Sequence, residues 1–251
     1  MSDRARAVLG QVLAIAIAIA LGAVVILLVG ENPLRVFRLL ALGAFGDPEK
    51  IAATLLQTTP ILICGIAACI SLRAGLFNIG VEGQLFMGGF AAAFVGFAFT
   101  MPAGIHMAVG LLAAGLAGLA WIAIPAFFRA RYNANEVVST ILSNYVAVLL
   151  TSYFTIFLFK RPGGWSETPP VLPSAYLPEL FSFSRLNWGL VIGLGLAVAT
   201  WLYFRYTPRG YEITTMGSNA KFAEYGGVHV RRLGFYVLLV SGAVGGLAFF
   251  F

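Results

Sequence analysis

The sequence predicts an all-α bundle of membrane-spanning helices, about seven in this chain, and three observations predict it. Of the 251 residues only 10% are charged and 60% are hydrophobic, where soluble domains carry roughly 25% charged residues. Uncharged runs fall at 7–30, 51–72, 83–128, 137–159, 186–204 and 233–251, and a bilayer crossing takes about 20 apolar residues. Gly and Ala crowd these runs, a composition that lets helices approach closely in lipid.

The run 7–30 follows Arg4 and Arg6, outlasts a signal-peptide core, and ends in "VILLVGENP" without a small-x-small cleavage site. It is read as a retained first helix. The second run, 51–72, holds Cys64 and Cys69 with no His or carboxylate beside them, so both are read as small packing residues. The third run, 83–128, is too long for one helix; "FTMPAG" at 99–104 breaks it, because Pro102 and Gly104 punctuate helices. Runs 137–159, 186–204 and 233–251 complete the set. The chain stops inside a hydrophobic run with no polar tail after Phe251. The single transmembrane domain over residues 1–251 is therefore expected to be incomplete at its C-terminus.

Two loops differ in character. The loop 160–187 carries Pro162 and four prolines between Pro169 and Pro178, which predicts an irregular or polyproline-like, stiff segment. In the loop 205–232, "NAKFAEY" predicts a short helix over 220–225, capped by Ser218 or Asn219 and ended by Gly226-Gly227. With the N-terminus inside, Lys and Arg divide ten to the cytoplasmic side and six to the outer side, which favours that orientation. The net charge of +6 is then a topology signal and not a footprint for nucleic acid.

Two polar sets stand against this apolar background. In "RAGLFNIGVEGQLFMGGF", 73–90, Asn78, Glu82 and Gln84 sit among Gly75, Gly80 and Gly83. Ionisable groups at membrane depth mark pathways or pairings, and irregular backbone there is tolerated only within protein or beside a water-filled cavity. One reading is a broken helix at a translocation path, with the three side chains facing the bundle interior and Glu82 shielded from lipid. The other is a short cytoplasmic turn with Glu82 solvated near Arg73. In the fifth span Glu136, Thr140, Ser143, Asn144, Thr151 and Thr155 recur at helical spacing. Asn135, Glu136, Thr140 and Asn144 are assigned to the path; Thr151 and Thr155 are read as interhelical hydrogen-bonding glue. Walker A, HExxH and GxSxG patterns are absent, and His106 and His229 have no neighbouring nucleophile. No catalytic residue, metal or cofactor is expected, and uphill transport needs a partner or an ion gradient.

"RAGLFNIGVEGQLFMGGF", "NEVVSTILSNYVA" and "YTPRGYEITTMGSNAKFAEYGGVHVRR" together resemble permease subunits of bacterial ATP-binding cassette (ABC) importers. That family takes up branched-chain amino acids, simple sugars and nucleosides, and the first two phrases look most like its nucleoside branch, often called simple-sugar permeases. The resemblance covers about residues 8–248. It departs at the end, where members continue "GGLAGA" and add further spans while here Phe249-Phe250-Phe251 follows. The resemblance implies a bacterial cytoplasmic membrane, a second permease subunit, and a periplasmic or lipid-anchored binding protein that delivers solute near 160–187. It also implies a separate ATPase docking on a cytoplasmic coupling helix, here Gly217, Ser218, Asn219, Ala220, Phe222, Glu224, Tyr225 and Gly226. Phe222 and Tyr225 share a face as anchors, and Arg209, Arg231 and Arg232 hold the segment near anionic membrane lipid. The 21 Phe and 9 Tyr suit a nucleoside's flat base without being diagnostic. The alternatives are an amino acid or sugar permease of the same family and, in another class, a gradient-driven secondary transporter using Glu82 and Glu136.

Overall fold

In the computed structural model the described residues run from Asp3 to Ala248. Phe249, Phe250 and Phe251, on which the expectation of an incomplete C-terminus rests, lie outside them. Among the described residues the chain forms helices α1 (Asp3–Leu28), α2 (Pro33–Phe45), α3 (Pro48–Arg73), α4 (Val81–Ala98) and α5 (Ala103–Tyr132). These are followed by α6 (Glu136–Tyr153), α7 (Gly189–Tyr206), α8 (Pro208–Ser218), α9 (Ala220–Tyr225) and α10 (Val230–Leu247). Seven of them are long and apolar enough to cross a membrane: α1, α3, α4, α5, α6 with its extension to Leu158, α7 and α10. The break inside 83–128 falls where Pro102 and Gly104 put it, with Pro102 at the N-cap of α5. Pro60 and Pro125 stay inside α3 and α5, as neighbouring groups can re-satisfy the freed carbonyls in membrane helices.

The chain divides into two compact units, one up to Thr54 and one from Leu55 onward. In the first, none of the described side chains of α1 is buried, and a helix apolar on all sides and unburied by protein suits hydrocarbon. Gly30, at φ +88°, ends this segment; a side chain would be strained there. Asn32 then caps α2 by accepting from the Leu34 and Arg35 N–H groups at 3.0 and 3.4 Å, and Pro33 takes the first helical position, where no N–H is needed. Asp47 precedes α3; its side-chain bond to Lys50, together with the Lys50 backbone N–H, holds its carboxyl below the usual range.

In the second unit, α4, α5 and α10 pack backbone to backbone. A Cβ on Gly88 would collide with the Gly246 carbonyl oxygen, one on Gly118 with that of Gly242, and one on Gly246 with that of Ala114. Without a hydrophobic drive between helices in lipid, such close contact supplies the dispersion that holds them. Toward one end of this triad the apolar core gathers Ile66, Ile70, Leu76, Ile122, Ile213, Met216 and Leu238. At the other end buried His106 fastens the loop 160–187. Its Nε2 donates to the Val95 carbonyl at 3.0 Å and its Nδ1 accepts from the Ser174 hydroxyl at 2.8 Å, the tautomer that a carbonyl partner requires. The Leu172 N–H adds a 2.9 Å bond to the Gly96 carbonyl. The loop itself is irregular apart from a 3₁₀ turn at Pro173–Ala175 and a bridge between Glu179 and Asn187.

Candidate translocation and coupling sites

The segment 74–80 leaves α3 in a non-helical path and enters α4 at Val81. Gly75 turns it at φ +71°. The turn between these two spans leaves backbone groups without helical partners, and buried amide side chains supply them. Asn78 Oδ1 accepts from the Gly80 N–H at 3.0 Å and from Gln84 Nε2 at 3.0 Å. Asn78 Nδ2 donates to Gln84 Oε1 at 3.2 Å and to Ser241 Oγ at 2.9 Å. Ser241 passes its own proton to the Ala67 carbonyl at 2.7 Å. From α6, Asn144 donates to the Ile79 carbonyl at 2.9 Å and accepts from the Gly83 N–H at 2.9 Å. Gly83 is in the first turn of α4, whose N-cap Gly80 offers no side chain. Asn144 therefore caps α4 from a neighbouring helix, filling one of the donors that a helix start leaves open. Glycine fits closely at 83: a Cβ there would stand 2.9 Å from Asn144 Oδ1 and 3.0 Å from Trp121 Nε1, displacing the Asn144 side chain that makes the cap. That indole nitrogen is buried without a hydrogen-bond partner, a neighbour of the cluster that composition gave no reason to single out.

The residues assigned to a path thus separate. Asn78, Gln84, Thr140 and Asn144 are buried. Glu82 is not: it is exposed in the first turn of α4, which corrects the expectation of a shielded carboxylate. Successive helical residues point about 100° apart, so Gly83 meets α6, Gln84 meets Asn78, and Glu82 falls outside both contacts. Arg73 does not pair with it; its guanidinium lies over the Phe204 ring at 5.8 Å. Asn135 is an exposed helix cap, accepting from Val137 and Val138 N–H at 2.9 and 3.3 Å. Glu136 is ion-paired with Arg129 across the α5–α6 connection. The reading of Thr151 and Thr155 as interhelical glue is also corrected, since they donate to the Ala147 and Thr151 carbonyls of their own helix at 2.9 and 2.8 Å. Thr140 does the same to the Glu136 carbonyl at 2.6 Å.

At the opposite end of the sequence map, the expected short helix forms as α9. Asn219 caps it, accepting from the Phe222 N–H at 3.0 Å, and Gly227 leaves it at φ +85°. Ala223 is buried, while Phe222 and Tyr225 are 63% and 92% exposed. Ser218, Ala220, Glu224 and Gly226 are exposed as well. Helix α8, which precedes it, had no place in the sequence map. Its signal was Thr207-Pro208, an N-cap and a first-turn proline, with the Thr207 hydroxyl accepting from the Gly210 N–H at 3.0 Å. Through Gly217, α8 touches the turn that begins the break: a Cβ on Gly217 would collide with the Arg73 carbonyl oxygen, and one on Gly75 would stand 3.2 Å from Gly217 Cα. The exposed α9 is therefore connected, by one backbone contact, to the segment carrying Asn78.

Among the described residues, three cavities are lined by other residues than Asn78, Gln84 and Asn144. A cavity of about 360 Å³ sits between Arg129, Glu224 and Arg231, beside the Gly75–Gly217 contact. Two more flank α4 at Gly89 and Ala93: one of about 630 Å³ toward Glu179 and Arg185, and one of about 420 Å³ toward the end of α6.

Residues 50–249 match the family described as branched-chain amino acid transport system / permease component. Along 99% of its length the chain is 35% identical to the guanosine ABC transporter permease protein NupP of Bacillus subtilis, of which it spans 72%. It is 27% identical to the nucleoside ABC transporter permease protein NupB of Lactococcus lactis, covering 98% of this chain and 71% of that one. With the glucose ABC transporter permease protein TsgB13 of Haloferax volcanii the identity is 30%, over 94% of this chain and 66% of the relative. No solved structure matches.

Proposed function

Because this chain belongs to the branched-chain amino acid transport system / permease component family, we propose that it is the membrane-embedded permease subunit of an ATP-driven importer and that its solute is a nucleoside. The observation that carries the solute class is the 35% identity to a guanosine permease along nearly the whole chain. Hydrolysis of ATP belongs to a separate subunit, which docks on α9. The outer loop 160–187 receives a substrate-binding protein, and Trp165, 92% exposed on that loop, is a fitting anchor for it. A second permease subunit completes the membrane part. The N-terminus, α8 and α9 lie on the cytoplasmic side, as the distribution of Lys and Arg favours.

In this reading the saturated cluster around Asn78, Gln84 and Asn144 is a closed floor of the path and not a binding surface, because its hydrogen-bonding groups already serve one another. Motion at α9 reaches the floor through Gly217 and Gly75. Glu82 and Glu136, at the cytoplasmic ends of α4 and α6, line the exit once that floor opens. The deciding experiment is uptake by the permease assembled with its ATPase and binding protein. Labelled guanosine should enter in an ATP-dependent manner, adenosine should compete, and leucine and glucose should not. Uptake of leucine or glucose with no nucleoside uptake would replace the solute assignment, and guanosine uptake without any ATPase subunit would replace the class.

A further inference from the structure

The cavity of about 420 Å³ between α4 and the far end of α6 has the chemistry of a binding site. On the α4 side it is lined by Phe86, Phe90 and Ala93; on the α6 side by Thr151, Ser152 and Thr155; and the loop closes it with Glu167. The two threonines have already given their protons to helix carbonyls, so toward the cavity their oxygens can only accept. Ser152 is exposed and makes no hydrogen bond among the described residues. Glu167 is held only loosely, by Arg161 at 3.4 Å with both side chains more than half exposed, and a carboxylate is a strong acceptor. The loop adds Ser166 and Thr168, which like Ser152 can donate or accept, so the polar side offers more acceptors than donors and suits a polyhydroxylated ligand. The facing wall is aromatic, with the Phe90 ring 5.2 Å from that of Phe154 and 5.9 Å from that of Phe159. Flat apolar rings stack on such surfaces.

The backbone adds an independent sign. Beyond Tyr153 the helix widens into a π-turn over Phe154–Leu158, closed by the Phe159 N–H donating to the Phe154 carbonyl at 2.9 Å. Such turns are rare and recur at functional sites; this one contains Thr155 and Ile156, both on the cavity. Hydroxyls and a carboxylate facing open space next to apolar spans are expensive if lipid fills that space, and they are satisfied if a polyhydroxylated solute does. Below the cavity, the Asn144–Gly83 bond joins α6 to α4, so a solute entering from the loop side stops there.

We infer that this groove is where the permease holds its solute before release: the base lies against Phe86 and Phe90, and the ribose 2′- and 3′-hydroxyls donate to Glu167 with Thr151 and Thr155 as further acceptors. The inference rests on the nucleoside reading above and assigns residues to it. The test uses the complete transporter in vesicles, with the nucleoside saturating so that loading of the binding protein is not limiting. Glu167→Gln should lower guanosine uptake about tenfold, the scale of a lost hydrogen bond to a charged group. It should leave the slower uptake of 2′,3′-dideoxyguanosine unchanged, since that ligand never made the bond. In a second measurement, Ser152→Cys should react with a small thiol reagent faster than the parent chain with its Cys64 and Cys69, and guanosine should slow that reaction where glucose does not. Equal effects of Glu167→Gln on both nucleosides, or no protection of Ser152→Cys by guanosine, would overturn the site while leaving the permease reading intact. A wild-type transporter that imports no nucleoside sinks the functional reading first, and that outcome is read before any variant is made.

Discussion

Asn144 stands where α6 meets the break before α4, and its two bonds explain why an amide belongs in so apolar a span. Asn144→Ala leaves the Gly83 N–H buried without a partner and removes the bond to the part-buried Ile79 carbonyl. An unsatisfied buried group costs about 1–3 kcal/mol, although measured couplings between membrane helices average about 0.6 kcal/mol because the dissociated state also finds partners. The expected outcome is a clear fall in the thermal midpoint of the detergent-purified permease, against no measurable change for Thr155→Val, whose proton only bonds its own helix. Similar midpoints for both variants would contradict the capping role. Glycines give a second contrast. Gly246→Ala drives a methyl into the Ala114 carbonyl, a backbone atom that has no room to yield, while Gly195→Ala meets nothing within 4 Å. Overpacking costs about 1–3 kcal/mol, whereas a Gly-to-Ala change in an open helical site is neutral or stabilising. Expression and midpoint should fall for the first and hold for the second.

Among the elements, α9 combines features that rarely coincide in a helix of its length. It is capped at both ends, fixed on one face by buried Ala223, and bare at Phe222 and Tyr225. Exposed aromatic anchors beside a fixed face suit a partner's groove. Phe222→Ala combined with Tyr225→Ala should leave membrane insertion and the thermal midpoint nearly unchanged, because both rings are largely exposed. Solute-stimulated ATP hydrolysis in the assembled transporter should fall at least tenfold. A double variant with normal stimulation would show that the ATPase engages another surface. The helix was legible because its cap, its glycines and its polarity are all local signals. Helices α2 and α8 were as local, each opening with a capping residue and a proline, Asn32-Pro33 and Thr207-Pro208. Hydropathy hides them, because both lie in stretches that it marks only as connections between spans.

For the whole molecule, orientation follows from charge and from the two exposed landmarks. Trp165 lies on the loop that His106 fastens, beyond the α4 end away from the break, and Tyr225 lies beside the break. If Lys and Arg set the topology, Trp165→Cys should react with an impermeant thiol reagent added to intact cells. Tyr225→Cys should react only after the membrane is opened. The reverse pattern would invert the chain and move the proposed ATPase contact to the wrong side. The same charge argument makes the cavity flanked by Glu167 an outward one and the cavity at Arg129 and Arg231 an inward one, with the saturated amide cluster between them.

The sequence by itself determined the membrane class, the seven spans, the break at Pro102 and the short helix at 220–225, and its motifs pointed to the family. These are properties of single segments, since whether a stretch prefers lipid or turns at a glycine depends on its own residues. Which polar residues meet was decided only by the tertiary structure. Asn78 bonds Ser241, 163 positions away, and Asn144 bonds Gly83, 61 positions away; no spacing rule reaches so far. Gln84 and Glu82 looked equivalent in one polar motif, yet two residues along a helix point about 200° apart. One is therefore sealed in the interior while the other is exposed. The threonines at 151 and 155 looked like glue because their type permits it, but a hydroxyl can bond its own helix as readily as a neighbour. Only the relative placement of α4 and α6 shows that, with their protons bound at home, their oxygens are left facing open space.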